Sequence, residues 1–147
     1  MGFASPRRGL LAAASGAALT GACASFFSAA TDTGSNGRRA STLAAMRRAT
    51  AFMTERVAYR GGYVWSYLPD FSRRWGEMEA YPTMIWLQPP GTATVGHLYL
   101  DCYAVTGEAF YYRAARQVAD GIIGAQHPSG GWNYLHDFGG EESVRRW

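Results

Sequence analysis

Three stretches of the chain carry apolar residues at steps of three and four, the spacing of one helix face. Leu43, Met46, Ala49, Met53 and Val57 form the first stripe and predict a helix from about Thr42 to Ala58, which Gly61-Gly62 brings to an end. Val95, Leu98, Cys102 and Val105 predict a second helix from about Ala93 to Thr106. Tyr111, Ala115, Val118, Ile122 and Ala125 predict a third, from about Glu108 to Gln126. Only Gly107 separates the second from the third, so the two must be antiparallel neighbours in an αα-hairpin. Pro128 and Gly130-Gly131 stop the third helix. After Gly139-Gly140, "EESVRRW" sets two acids before two arginines, the charge order that favours a new helix start.

Elsewhere the period is lost. From Asp70 to Thr92 the chain carries Trp75, Tyr81 and Trp86 among Pro82, Pro89 and Pro90; a short helix is expected near Met84–Gln88, with irregular chain on either side. One pattern does recur. "WSYLPDF" (Trp65–Phe71) agrees with "WNYLHDF" (Trp132–Phe138) at five of seven positions, and each follows a Gly-Gly pair. The helices ahead of them correspond as well, "LAAMRR" (Leu43–Arg48) falling on "YRAARQ" (Tyr112–Gln117). A repeating unit of helix, Gly-Gly and aromatic loop is the signature of a solenoid or toroid, because each helix pair has a face that only a neighbouring pair can cover. The expected fold is therefore all-α, an α/α toroid of helix hairpins. About two units are present, so residues 42–147 are expected to be the N-terminal part of an incomplete ring.

The first residues have a different character. "SPRRGLLAAASGAALTGACAS" places Arg7-Arg8 before an apolar run that ends at Ala22-Cys23-Ala24, the order of an export signal, and the arginine pair resembles a twin-arginine signal. Residues 1–24 are thus expected to be a signal, 25–41 a linker built around "TDTGSNGRR", and the protein periplasmic or secreted. With the signal removed, Cys102 would be the one remaining cysteine, and its place on an apolar helix face suits a small buried hydrophobe. A hydrophobic content of 48% and a charged content of 17% describe a globular chain. All fourteen basic residues are arginine, mostly in scattered pairs, and the net charge is +3. Scattered pairs do not make the continuous basic stripe of a nucleic-acid interface, and no membrane contact beyond export is expected.

The aromatic loops carry the candidate chemistry. Trp65, Tyr67, Trp132 and Tyr134 follow glycines at corresponding helix ends, so in a toroid they would line one rim. An aromatic ring with a polar edge suits stacking on a sugar, although plugging gaps between helix pairs is the competing role. Arg60, Arg73 and Arg74 flank the first loop, and their forks suit the carboxylate of an acidic sugar. Asp70 and Asp137 stand at equivalent positions as ligands or, given their recurrence, as turn residues satisfying backbone N–H groups. Glu77 and Glu79 would share a face only in extended chain, and a two-carboxylate hydrolase would need that pairing. His97 and Asp101 are four apart on one helix face, without a nucleophile beside them. His127 and His136 lack a metal-ligand spacing. His136 stands where the first loop has Pro69, so repetition does not explain it.

Two family resemblances follow from these residues. "QHPSGGW" (Gln126–Trp132) fits a short structural repeat of the terpene cyclases. The stretch "GTATVGHLYLDCYAVTGEAFYYRAARQVADGIIGAQHPSGGW", from Gly91 to Trp132, resembles the hairpin of the pectic acid lyases, polysaccharide lyase family ten. That second resemblance implies an α/α toroid, an acidic polysaccharide (polygalacturonate) as partner, and calcium as cofactor in a β-elimination. There the cation would neutralise a uronate carboxylate and acidify the neighbouring carbon-bound proton. Pro89-Pro90 stand where the family has Asp-Asn, and the family's catalytic arginine lies C-terminal of this hairpin. No catalytic base or metal ligand is therefore assigned, and these residues alone are expected to bind without turnover. A non-catalytic glycan-binding toroid, or a glycoside hydrolase on the same fold, is the alternative.

Overall fold

The computed structural model describes residues 22–140, with side chains from residue 34 onward. Almost all of the expected export signal, and the helix start expected after Gly140, lie outside the described residues. Two compact units divide at residue 42. In the first, helix α1 (Ala22–Phe52) runs through Thr31–Arg39, so the stretch expected as linker is helical. The Ser41 and Thr42 hydroxyls donate back to the Arg38 carbonyl at 2.8 and 2.9 Å.

The second unit holds the rest of α1 and everything after it. The α-helix passes at Met53 into a π-helical turn (Met53–Val57), closed by Ala58 N–H on the Met53 carbonyl at 2.9 Å. Its inward stripe runs through Leu43, Met46, Met53 and Val57 as expected, except that Thr50 is buried where Ala49 was read. Strands β1 (Ser66–Tyr67) and β2 (Arg74–Trp75) pair antiparallel, as do β3 (Met84–Trp86) and β4 (Leu135–Asp137). Helices α2 (Thr92–Thr106) and α3 (Ala109–Gly124) form the expected hairpin.

The unit is therefore mixed helix and strand, and the all-α toroid expectation is overturned. One helix pair is present among the described residues, and the segment that a toroid would build as another pair is spent on two small sheets. Prolines at 82, 89 and 90 deny that segment a helical backbone. Met84, Ile85 and Trp86, expected as a short helix, are instead a fully buried strand. Trp86 N–H reaches the Tyr63 carbonyl at 2.8 Å, while β4 lies along the strand in the register Met84↔Asp137 to Trp86↔Leu135. The turn after β3 has a cis Pro89–Pro90 bond and is closed by Gly91 N–H on the Gln88 carbonyl at 3.0 Å.

Two apolar clusters hold these pieces. One joins Val57, Tyr63, Tyr99, Ala114, Ala115 and Val118; the other joins Val64, Ala80, Met84 and Trp86, and Tyr67 packs against both. The glycine pair does more than end a helix. Gly61 has φ +80°, and a Cβ there would lie 2.0 Å from the Gln117 carbonyl oxygen, so the turn rests directly on the backbone of α3. Gly121 answers from the helix side, where a Cβ would lie 2.5 Å from the Arg60 carbonyl oxygen.

Candidate functional site

The β1–β2 hairpin carries most of the candidate residues. Pairing of Ser66 with Trp75 and Tyr67 with Arg74 fixes the hairpin, and Leu68 N–H to the Arg73 carbonyl at 3.0 Å extends it. The chain then folds back over Gly76. Gly76 N–H reaches the Met78 carbonyl at 2.9 Å, and Ala80 N–H reaches the Arg74 carbonyl at 2.8 Å. A Cβ at Gly76 would lie 2.1 Å from the Trp86 indole, so the fold-back is pressed onto the second cluster. This geometry sets Glu79 opposite Trp75 and opens a cleft of about 370 Å³ lined by Ser72, Arg73, Arg74, Glu79, Ala80, Tyr81 and Pro82.

The two arginines of the cleft differ in what holds them. Arg73 is gripped by Glu79 through both forks, Nε to Oε1 at 2.6 Å and Nη2 to Oε2 at 2.7 Å, and lies over the Trp75 ring at 5.1 Å. The hydrogen bonds of this pair hold the Glu79 carboxyl below its ordinary range and push the Arg73 guanidinium further up. Arg74 has only long contacts, 3.4 Å to the carbonyls of Pro82 and Phe71, and its guanidinium stands 5.6 Å from the centre of the Tyr67 ring. Tyr81, on the same lining, keeps 41% of its surface exposed. The cleft thus combines a cation whose donors are weakly committed with an exposed aromatic ring.

The other candidates are dispersed. Arg60 sits at φ 49° with its guanidinium 5.0 Å from the Phe138 ring centre. Trp65 is half-buried edge-on against Trp86 at 5.8 Å and donates its indole N–H to the Gln88 carbonyl at 3.2 Å. Tyr67 is also half-buried; its hydroxyl accepts Val64 N–H at 2.8 Å, and burial raises its pKa. These two residues of the first loop are packing residues. Trp132 and Tyr134 of the second loop are 50% and 68% exposed. The Trp132 indole N–H caps the Ile122 carbonyl at 2.8 Å, and the Tyr134 carbonyl accepts from Leu87 and Gln88. Of the seven, only Arg73 and Arg74 line the cleft.

What the repeat preserves is a turn. Asp70 Oδ1 accepts Ser72 N–H at 3.0 Å, and Asp137 Oδ1 accepts Gly139 N–H at 2.7 Å, the same side-chain turn two residues long. Asp70 is exposed, and its bonds to Ser72 hold its pKa down. Asp137 is buried and also accepts the Thr83 hydroxyl at 2.5 Å. His136 lies edge-on to Phe138 at 4.5 Å, and burial holds its pKa below the ordinary histidine range. His97 and Asp101 are both exposed, with His97 on the wall of a shallow apolar groove between α2 and α3.

Among the described residues, no group of three or more His, Cys, Asp or Glu side chains is placed to share a metal ion, and no helix is long and apolar enough to cross a membrane. Sequence reasoning missed Tyr81 and the role of Glu79. The extended stretch that would have paired Glu77 with Glu79 does not form: Glu77 lies in the bend, and Glu79 bridges to Trp75. No family model, no curated protein and no solved structure matches the chain.

Proposed function

We propose that this protein binds an acidic polysaccharide, with the cleft between the β1–β2 hairpin and residues 79–82 receiving a uronate carboxylate on Arg74 and a sugar face on Tyr81. The observation that carries this reading is the contrast within one cleft. Arg73 is satisfied by Glu79, whereas the Arg74 guanidinium has no hydrogen bond shorter than 3.4 Å and shares its cleft with an exposed ring. The signal-like N-terminus supports an exported protein, placed where such glycans occur.

Calorimetric titration with trigalacturonate tests this directly. Arg74→Ala should weaken binding by about tenfold or more, the loss expected of one charge-assisted pair. Equal affinity in Arg74→Ala and the unaltered protein would remove the cleft from consideration. Calcium-assisted β-elimination is a second reading, suggested by the resemblance of Gly91–Trp132 to the lyase hairpin. Calcium enters through that resemblance alone. Polygalacturonate with and without calcium, followed by the ultraviolet absorbance of an unsaturated product, separates cleavage from binding.

A further inference from the structure

Glu79 occupies Arg73 in the way that a ligand carboxylate would. Its two oxygens meet Nε and Nη2 in parallel, the geometry by which a guanidinium receives a uronate. Both residues are exposed and both line the cleft, so the internal carboxylate competes for Arg73 in the open and not behind a wall. Two adjacent arginines would otherwise present two carboxylate-binding forks to one stretch of glycan. With Glu79 in place, the lining carries two positive charges and one negative, and only the Arg74 fork is weakly held.

We infer that Glu79 is a specificity-determining residue that limits this cleft to one carboxylate, selecting glycans whose charged sugars are separated by neutral ones over contiguous polyuronates. A contiguous chain would bring a second carboxylate to Arg73, where it meets Glu79 as a like charge and must displace it. An isolated uronate meets only Arg74. This inference rests on the acidic-saccharide reading of the cleft.

The experiment compares galacturonate with trigalacturonate as ligands in high salt, where the effect of the altered net charge is largely screened, using the ratio of their dissociation constants so that the number of binding registers cancels between variants. Glu79→Gln should shift the ratio toward trigalacturonate by about fivefold, the worth of one added charge-assisted contact. The double variant Arg73→Gln/Glu79→Gln should return the ratio to that of the unaltered protein. An unchanged ratio in Glu79→Gln overturns the inference, and so does a shift that persists in the double variant. If the unaltered protein binds neither saccharide, the acidic-saccharide reading itself has failed, which is a different result. Both positions are exposed, and matched melting temperatures would show that the hairpin is intact.

Discussion

The Thr92 hydroxyl accepts the Tyr63 N–H at 3.0 Å and donates to the Tyr63 carbonyl at 3.0 Å, so one side chain satisfies both backbone groups of a buried residue. Through this contact the first turn of α2 holds the chain segment that follows the glycine turn. Thr92→Val keeps the shape and removes both bonds; the Tyr63 carbonyl keeps the Trp86 N–H, and the buried Tyr63 N–H is left unpaired. One buried donor left without a partner costs about 1–3 kcal/mol, and urea denaturation should show a destabilisation of that size. Thr92→Ser, which keeps the hydroxyl, should lose much less.

The Tyr63 and Tyr99 hydroxyls meet at 2.9 Å inside the same core. Burial raises the pKa of Tyr63, Tyr99 and Tyr111, with the hydrogen bond to Tyr99 adding to the rise at Tyr63. In the unfolded chain these phenols would ionise near pH 10. The folded state binds their protons more tightly, so this contribution is complete below pH 10 and falls as pH rises above it. The urea midpoint should drop as the pH rises above about 10. Tyr63→Phe should blunt that drop; an identical pH profile in the variant would show that the pair is not its source.

Gly61 and Gly107 both have positive φ, at +80° and +70°, but differ in what surrounds them. At Gly107 a Cβ meets open space, so Gly107→Ala should cost about 1 kcal/mol from backbone conformation alone. At Gly61 the Cβ would enter the Gln117 carbonyl, and the backbone must move. Gly61→Ala should cost at least about 2 kcal/mol more than Gly107→Ala by thermal or urea melting.

The two copies of the aromatic loop make a matched test of context. Asp137→Ala removes a turn bond and leaves the half-buried Thr83 hydroxyl without its acceptor, for about 1–2 kcal/mol of lost stability. Asp70→Ala removes the equivalent turn bond at the surface, where water replaces it. Its melting temperature should stay close to that of the unaltered protein.

Histidine 136 adds an acid-side counterpart. Its folded pKa is held down by burial, so its contribution is present above pH 6.5 and is lost as pH falls toward its folded value. The ring's proton resonances should titrate below the ordinary histidine midpoint, and a normal midpoint would show the ring to be solvated.

The sequence by itself determined the α2–α3 hairpin and the glycine that divides it. Helix formation is local, and the stripe of α3 through Tyr111, Ala115 and Val118 is buried as its spacing requires. Gly107 adopts the left-handed conformation that separates α2 from α3. Even here the face of α2 was decided by packing. Thr92, Gly96, Tyr99 and Cys102 turn inward, while Leu98 and Val105, read as core, are 56% and 72% exposed, because Gly96 admits Val118 more closely than a larger residue would allow. The strands were illegible for a stronger reason. They are two or three residues long, too short to show a period, and β3 finds β4 far along the chain, past the whole helical hairpin. Met84–Trp86 is buried on every side, so its apolar run reads equally as strand or helix until a partner supplies the ladder. The cleft inherits that dependence. Arg73, Arg74 and Glu79 could be named from the sequence, but only the fold-back over Gly76 decided that one arginine would be clasped and its neighbour weakly held.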